Sequence, residues 1–109
     1  MRILLDECLP RQLVEELAEY EVVTVQKPGW SGLKNGQLLK KVSGGFEVFL
    51  TTDKRLEHEE KIPADVAVVT IRAHSNRIQD LRPLASELRR TVKEAKPGKS
   101  TTVGRITRR

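Results

Sequence analysis

Apolar positions along the chain are grouped in two ways, as short continuous runs and as longer segments with helical spacing. The continuous runs predict strands, and near-complete apolarity, as in residues 66–71, indicates burial on both faces of a parallel sheet. The predicted strands are residues 2–5, 21–25, 47–51 and 66–71, with a short closing strand at 100–103.

Helical spacing appears in three segments between these strands. The first predicted helix opens at Pro10, and the second ends at the glycine pair Gly44 and Gly45. Pro83 interrupts the third, which is either kinked or begins near Asp80. The apolar positions are Leu9, Leu13, Val14, Leu17 and Ala18 in the first, Leu38, Leu39 and Val42 in the second, and Ile78, Leu81, Ala85, Leu88, Val92 and Ala95 in the third. The strongly charged residues 54–63 predict an irregular helical turn.

Strands that alternate with helices indicate right-handed βαβ crossovers and a mainly parallel sheet. We therefore predict an α/β protein with a three-layer, Rossmann-like fold, in which helices flank a mainly parallel sheet of four or five strands. The length of 109 residues fits one domain. We assign this domain to residues 1–104 and treat residues 105–109 as a basic C-terminal tail.

Composition narrows the classes of function. The single cysteine, Cys8, excludes an internal disulfide framework, and no signal peptide is apparent, so we expect a cytoplasmic protein. The apolar runs are far shorter than the roughly 20 residues of a membrane span. Residues 1–92 carry 14 basic and 14 acidic side chains, whereas residues 93–109 carry 6 and 1. The net charge of +5 therefore comes from residues 93–109, and it permits a nucleic-acid partner without requiring one.

Charged side chains follow three of the predicted strands at the point where each strand ends. Asp6 follows the first strand, Asp53 the third and Arg72 the fourth. If these strands are parallel, the three residues emerge at one edge of the sheet, where α/β proteins commonly bind ligands.

Two carboxylates at a shared edge favour a divalent cation. Repulsion between Asp6 and Asp53 would be relieved by Mg²⁺ or Mn²⁺, which prefer oxygen ligands, and such a cation supports hydrolysis of phosphodiesters. Glu7 is a third candidate, either as a ligand or as a solvated neighbour. The spacing equally fits an alternative in which Asp6 and Asp53 only cap the helices that follow them.

A phosphoacceptor receiver domain is another interpretation of the same positions. It would use the acidic pair Asp6 and Glu7, Asp53 after the third strand and Thr70 at the fourth. Two features oppose it. No lysine follows a clear fifth strand, and the residues after Asp53 are charged where a receiver carries a proline-containing loop.

Four segments together resemble an uncharacterised PIN-like family that is related to VapC-type toxin ribonucleases and to the Mut-seven C-terminal domain. They are MRILLDECLP, GWSGLKNGQLL, FEVFLTTDKRL and VVTIRAHSNRIQDLRPL, in register from residue 1 to about residue 104. The resemblance implies a Rossmann-like sheet with an acidic Mg²⁺ or Mn²⁺ centre and, for its better-known relatives, cleavage of RNA. The partners it implies are RNA and an antitoxin protein. A homodimer is a further expectation.

Two positions match the acidic centre of that family, Asp6 at the end of the first strand and Asp53 in the Thr-Thr-Asp signature. PIN domains usually supply another acid from the second helix, where this chain has the neutral amides Asn35 and Gln37. An amide oxygen can coordinate a cation but contributes no charge, so a catalytically impaired binding module is the alternative to an active nuclease.

Two arginines, Arg72 and Arg77, lie after the fourth strand and are candidates for holding substrate phosphate through their guanidinium groups. Capping by Ser75 or Asn76, and pairing of the arginines with nearby acids, are the competing roles for this segment. Asp80, the nearest counterpart of a fourth acid, is expected to serve the helix instead.

Overall fold

The predicted strands all form, and they pair in parallel into one five-stranded sheet. The computed structural model describes residues 1–25, 29–30, 32–33, 35–58 and 61–104, except for the side chains of residues 35, 57 and 58. The strands are β1 (Arg2–Leu5), β2 (Glu21–Thr24), β3 (Val48–Thr51), β4 (Ala67–Ile71) and β5 (Ser100–Val103). Their spatial order is β2-β1-β3-β4-β5, which confirms the α/β fold with five strands.

Short helices connect these strands. They are α1 (Leu13–Glu16), α2 (Asn35–Val42), α3 (Ile78–Leu81) and α4 (Ala85–Glu94), with 3₁₀ turns at Lys54–His58 and Arg82–Leu84. The 3₁₀ turn at Pro83 separates α3 from α4, so the interruption expected at this proline is present. No helix within the described ranges is long and apolar enough to cross a membrane. The predicted basic tail, residues 105–109, lies outside the described residues.

The first helix is shorter than its apolar stripe predicts. Only Leu13–Glu16 is helical, and Leu17 leaves the helical region with φ −121° and ψ 30°. Pro10 therefore precedes the helix by a turn instead of opening it, and Ala18 is exposed. The stripe correctly identified Leu9, Leu13 and Leu17 as buried, because burial rather than hydrogen bonding sets the apolar pattern.

Side chains on the two faces of the sheet form two separate cores. Successive residues of a strand point to opposite faces, so Ile3 and Leu5 of β1 belong to one core and Leu4 to the other. The first core packs against α1 and α4, and the second packs against α2 and Leu56 of the 3₁₀ turn. The molecule thus has the three layers predicted from the sequence.

The last crossover runs on the opposite side of the sheet from the one before it. The connections β3 to β4 and β4 to β5 both step in the same direction along the sheet. The first of them covers the α2 face through Leu56, and the second covers the α1 face through Leu88 and Val92. The two connections therefore have opposite hands, so the prediction of right-handed crossovers is wrong for one of them. Left-handed crossovers between parallel strands are rare. One consequence is that α4 lies beside α1, where Arg82 and Arg89 both pair with Glu16.

The end of β5 is held by a close approach of main chains at Gly104. Its φ is +82°, and a Cβ atom there would lie 2.5 Å from the carbonyl oxygen of Arg72 and 2.9 Å from Cδ1 of Leu84. The N–H of Gly104 donates to Oε2 of Glu87 at 3.0 Å. Glycine is therefore required here for both conformation and space.

Replacing Gly104 by alanine is expected to destabilise the protein by about 1–3 kcal/mol, because the new methyl group meets backbone and the residue stays at positive φ. Gly36→Ala is the matched control. Gly36 lies in the first turn of α2, and no atom lies within 4 Å of the position that an alanine methyl group would take. The free energy of unfolding of this variant should therefore rise by about 0.5 kcal/mol. Urea unfolding of both variants measures the difference, and equal stabilities would contradict the tight packing at Gly104.

Candidate metal centre

Asp6 and Asp53 leave the sheet at the carboxyl ends of two neighbouring strands, β1 and β3. From β1 the chain first moves to one side to form β2 and then returns past β1 to form β3. The strand order reverses between β1 and β3, and such a switch point is where open parallel sheets leave a crevice for ligands. The main-chain N–H of Asp6 donates to the carbonyl of Leu50 at 2.9 Å, which holds this residue against β3.

The hydroxyl group of Thr51, the last residue of β3, connects the two acidic residues. It donates to Oδ2 of Asp6 at 2.6 Å and accepts the main-chain N–H of Asp53 at 3.0 Å. Oδ1 of Asp6 accepts the N–H of Glu7 at 2.8 Å. Thr51 is fully buried, so its side chain is fixed by packing as well as by these hydrogen bonds. The structure thus brings Asp6 and Asp53 to one edge of the sheet through a single bridging hydroxyl.

The carboxylate of Asp53 is engaged by a neighbour in sequence, Arg55. The guanidinium Nη2 lies 2.8 Å from Oδ2, and Nε lies 3.0 and 3.2 Å from the two carboxylate oxygens. The main-chain N–H of Arg55 also donates to Oδ1 at 3.0 Å, which caps the 3₁₀ turn Lys54–His58. Hydrogen bonding and then charge from Asp53 raise the pKa of the Arg55 guanidinium. Asp53 therefore caps the 3₁₀ turn, which is the alternative role considered for it in the sequence analysis, and it lies at the same edge of the sheet as Asp6.

Glu7 is directed to a different part of the molecule. Its Oε1 atom accepts the main-chain N–H of Gly32 at 3.2 Å, and the residue is exposed. This contact attaches the loop before α2 to the end of β1. In the same loop, Trp30 packs edge-to-face on Phe46, with ring centroids 6.1 Å apart. Glu7 thus organises the loop beside the acidic pair.

The two candidate arginines differ in their surroundings. Arg72 directly follows β4, is half-buried, and donates its main-chain N–H to the carbonyl of Val103 at 2.8 Å. Arg77 is exposed and precedes α3. The Ser75 hydroxyl accepts the N–H of Arg77 and donates to Asp80, so Ser75 and Asp80 both serve the start of that helix. Only Arg72 follows a strand next to β3.

The neutral amides lie at the start of α2. Asn35 is the first residue of that helix, and its side chain lies outside the described residues. Gln37 is exposed on the same turn. Neither residue supplies the charge that a third carboxylate would bring to the acidic pair.

The residues at this edge fit a hard cation that keeps most of its water. Mg²⁺ is commonly bound through one or two carboxylates with waters completing its coordination, and Asp6 and Asp53 supply such a pair. Among the residues that the structure describes, no group of three His, Cys, Asp or Glu side chains could hold a metal ion.

Another threonine, Thr70, lies beside Thr51 in β4. The two residues are paired in register, and both are fully buried. The hydroxyl of Thr70 has no hydrogen-bond partner among the described groups, although leaving a buried hydroxyl unpaired costs about 1–3 kcal/mol. The receiver interpretation uses a threonine after the fourth strand, whereas Thr70 lies inside β4.

Comparison of the chain with protein-family models, with curated proteins and with solved structures gave no match. The resemblance to PIN-like proteins therefore stays a prediction, and the functional assignment depends on the geometry of the site.

Sequence reasoning did not single out Thr51 or Arg55. A signal for Thr51 was present, because it is a polar residue that ends an apolar strand and shares a sheet face with Phe49. Arg55 gives no such signal, since it is one of several charged residues in the segment 54–63.

Replacing Thr51 by valine is expected to destabilise the protein by about 1–3 kcal/mol, because valine keeps the shape of the side chain but removes both hydrogen bonds of the hydroxyl. Thr51→Ser keeps the hydroxyl and should retain more of that stability. Thermal and urea unfolding of both variants measure the effect. A serine variant that is no more stable than the valine variant would show that the bridge contributes nothing.

Proposed function

We propose that this chain is a metal-dependent endoribonuclease of PIN-like type that acts as the toxin of a toxin–antitoxin pair. The observation that carries the proposal is the Thr51 hydroxyl, which bonds the carboxylate of Asp6 and the main-chain N–H of Asp53 at the switch point of the sheet. The family resemblance supplies the substrate class and the antitoxin partner. The geometry supports the placement of the acids.

Within this proposal Asp6 and Asp53 hold Mg²⁺ or Mn²⁺. The bound cation would supply the Lewis acidity that activates a water molecule and offsets charge on a scissile phosphodiester. Thr51 fixes the orientation of the Asp6 carboxylate, and Glu7 restrains the adjoining loop through Gly32. These contacts set the geometry of the acids before substrate binds, which limits the reorganisation needed during the reaction.

Arg72 and Arg77 are the proposed contacts to the RNA backbone. Arg72 follows β4, which is the strand next to β3, and Arg77 is exposed five positions later. Guanidinium groups bind phosphate oxygens in pairs and do not distinguish bases. We therefore expect cleavage of single-stranded RNA with backbone contacts of this kind.

Asn35 and Gln37 favour a different function, a PIN-like module that binds nucleic acid or protein without turnover. A centre with two carboxylates holds less negative charge than one with three, so its cation affinity is lower. Binding of RNA that is independent of divalent metal and unaffected by Asp6→Ala would favour this module over the nuclease.

The strand order and Thr70 favour a third function, the phosphoacceptor receiver. Receiver domains share the order β2-β1-β3-β4-β5, and Thr70 is a buried hydroxyl without a partner among the described residues. In this chain Asp53 lies two residues beyond the end of β3 and is held by Arg55. Incubation with acetyl phosphate, followed by intact-mass measurement, separates the two functions, because only a receiver gains a phosphoryl group on Asp53.

The nuclease proposal predicts that end-labelled single-stranded RNA is cleaved in the presence of Mn²⁺ or Mg²⁺ and is left intact with EDTA. Asp6→Asn and Asp53→Asn should each lower the cleavage rate on the order of 100-fold, since each removes a charged ligand. Gel electrophoresis of the products against time gives the rates.

The control variant for this assay is Glu19→Gln. Glu19 is exposed and precedes β2, so it lies at the opposite edge of the sheet, and its substitution makes the same change in charge. Cleavage that survives both aspartate substitutions, or that falls equally with Glu19→Gln, would reject the assignment of Asp6 and Asp53.

A further inference from the structure

Arg55 covers the carboxylate of Asp53 with two nitrogen donors of its own guanidinium group. The contacts are 2.8 Å from Nη2 to Oδ2, 3.0 Å from Nε to Oδ1 and 3.2 Å from Nε to Oδ2. Both carboxylate oxygens are therefore already paired with a positive charge. A divalent cation that uses Asp53 as a ligand has to compete with this contact.

The arginine lies on the solvent side of the carboxylate. The side chain of Asp53 is 20% exposed, whereas that of Arg55 is 84% exposed. Little packing holds the guanidinium in place, so it can move away into water without disturbing either core. Exposed ion pairs of this kind contribute little net free energy, which makes the contact readily reversible.

The guanidinium contacts are separate from the capping of the 3₁₀ turn. The main-chain N–H of Arg55 makes the capping bond to Oδ1 of Asp53, and any residue other than proline at position 55 can make it. Removing the side chain therefore removes the guanidinium contacts of Asp53 while leaving the turn capped.

We propose that Arg55 is an internal cation that competes with the divalent metal for Asp53 and thereby lowers the metal affinity of the centre. This inference rests on the metal site of the proposed function and adds a means of regulating it. At low metal concentration the Arg55 guanidinium is paired with the Asp53 carboxylate. Binding of Mg²⁺ or Mn²⁺ to Asp53 would require this guanidinium to move away. The apparent affinity falls by the fraction of molecules in which Asp53 is uncovered.

The test is titration of the intact chain with Mn²⁺ in the absence of RNA, followed by the electron paramagnetic resonance signal of free Mn²⁺. Arg55→Ala is expected to lower the dissociation constant on the order of fivefold, as expected for loss of an exposed ion pair. Arg55→Lys keeps the charge but loses the paired donors. Its Mn²⁺ dissociation constant should lie between those of the unsubstituted chain and Arg55→Ala.

Lys54→Ala is the matched control, because Lys54 is an exposed cation in the same turn. It removes the same charge without touching the described contacts of Asp53. Asp53→Asn serves to subtract binding at other sites. In that background, Arg55→Ala should have no further effect on Mn²⁺ affinity.

Three outcomes would overturn the inference: no tightening in Arg55→Ala, equal tightening in Lys54→Ala, or no Mn²⁺ binding by any variant. If Arg55→Ala binds Mn²⁺ more tightly, and this effect requires Asp53, the inference is supported even if no variant cleaves RNA. In that case the nuclease proposal fails while the role of Arg55 stands. Conversely, Asp6→Asn could abolish metal-dependent cleavage while Arg55→Ala leaves the Mn²⁺ affinity unchanged. That result would support the nuclease proposal and reject competition between Arg55 and the metal.

Discussion

Parallel pairing between β1 and β3 decides where the acidic residues of this molecule lie. The N–H of Asp6 extends the pairing beyond β1 to the carbonyl of Leu50, and the next residue, Thr51, then meets the Asp6 carboxylate. A shift of one residue in this register would place the side chains of Asp6 and Thr51 on opposite faces of the sheet. The candidate site therefore depends on the same hydrogen bonds that hold the centre of the fold.

Most of the fold could be predicted from the sequence because the pattern of apolar residues indicates which positions are buried. The nearly continuous apolar run of β4 indicated a strand covered on both faces, and all five residues of β4 are buried. Helix length was less predictable. Leu9 and Leu17 are buried on the apolar stripe of the first helix but lie outside its helical residues, Leu13–Glu16. The prediction of right-handed crossovers fails at the last one, because α4 covers the same face of the sheet as α1.

The site was predictable only in part. Asp6 and Asp53 were identified because each closely follows the end of a predicted strand, and the topology then fixes the shared edge. Thr51 and Arg55 act through side-chain contacts instead. The partner of the Thr51 hydroxyl lies 45 residues away in sequence, and the contact of Arg55 depends on its rotamer. Neither contact follows from a regular spacing of residues, so neither could be recognised in a single sequence.

The reversed hand of the last crossover makes the two ends of the chain depend on each other. A helix of four residues such as α1 has no stability of its own in water. Its Glu16 pairs with Arg82 of the 3₁₀ turn and with Arg89 of α4. The segment that carries Asp6 leads directly into α1. The segment that follows the first acid of the candidate centre is thus in contact with residues from the last third of the sequence.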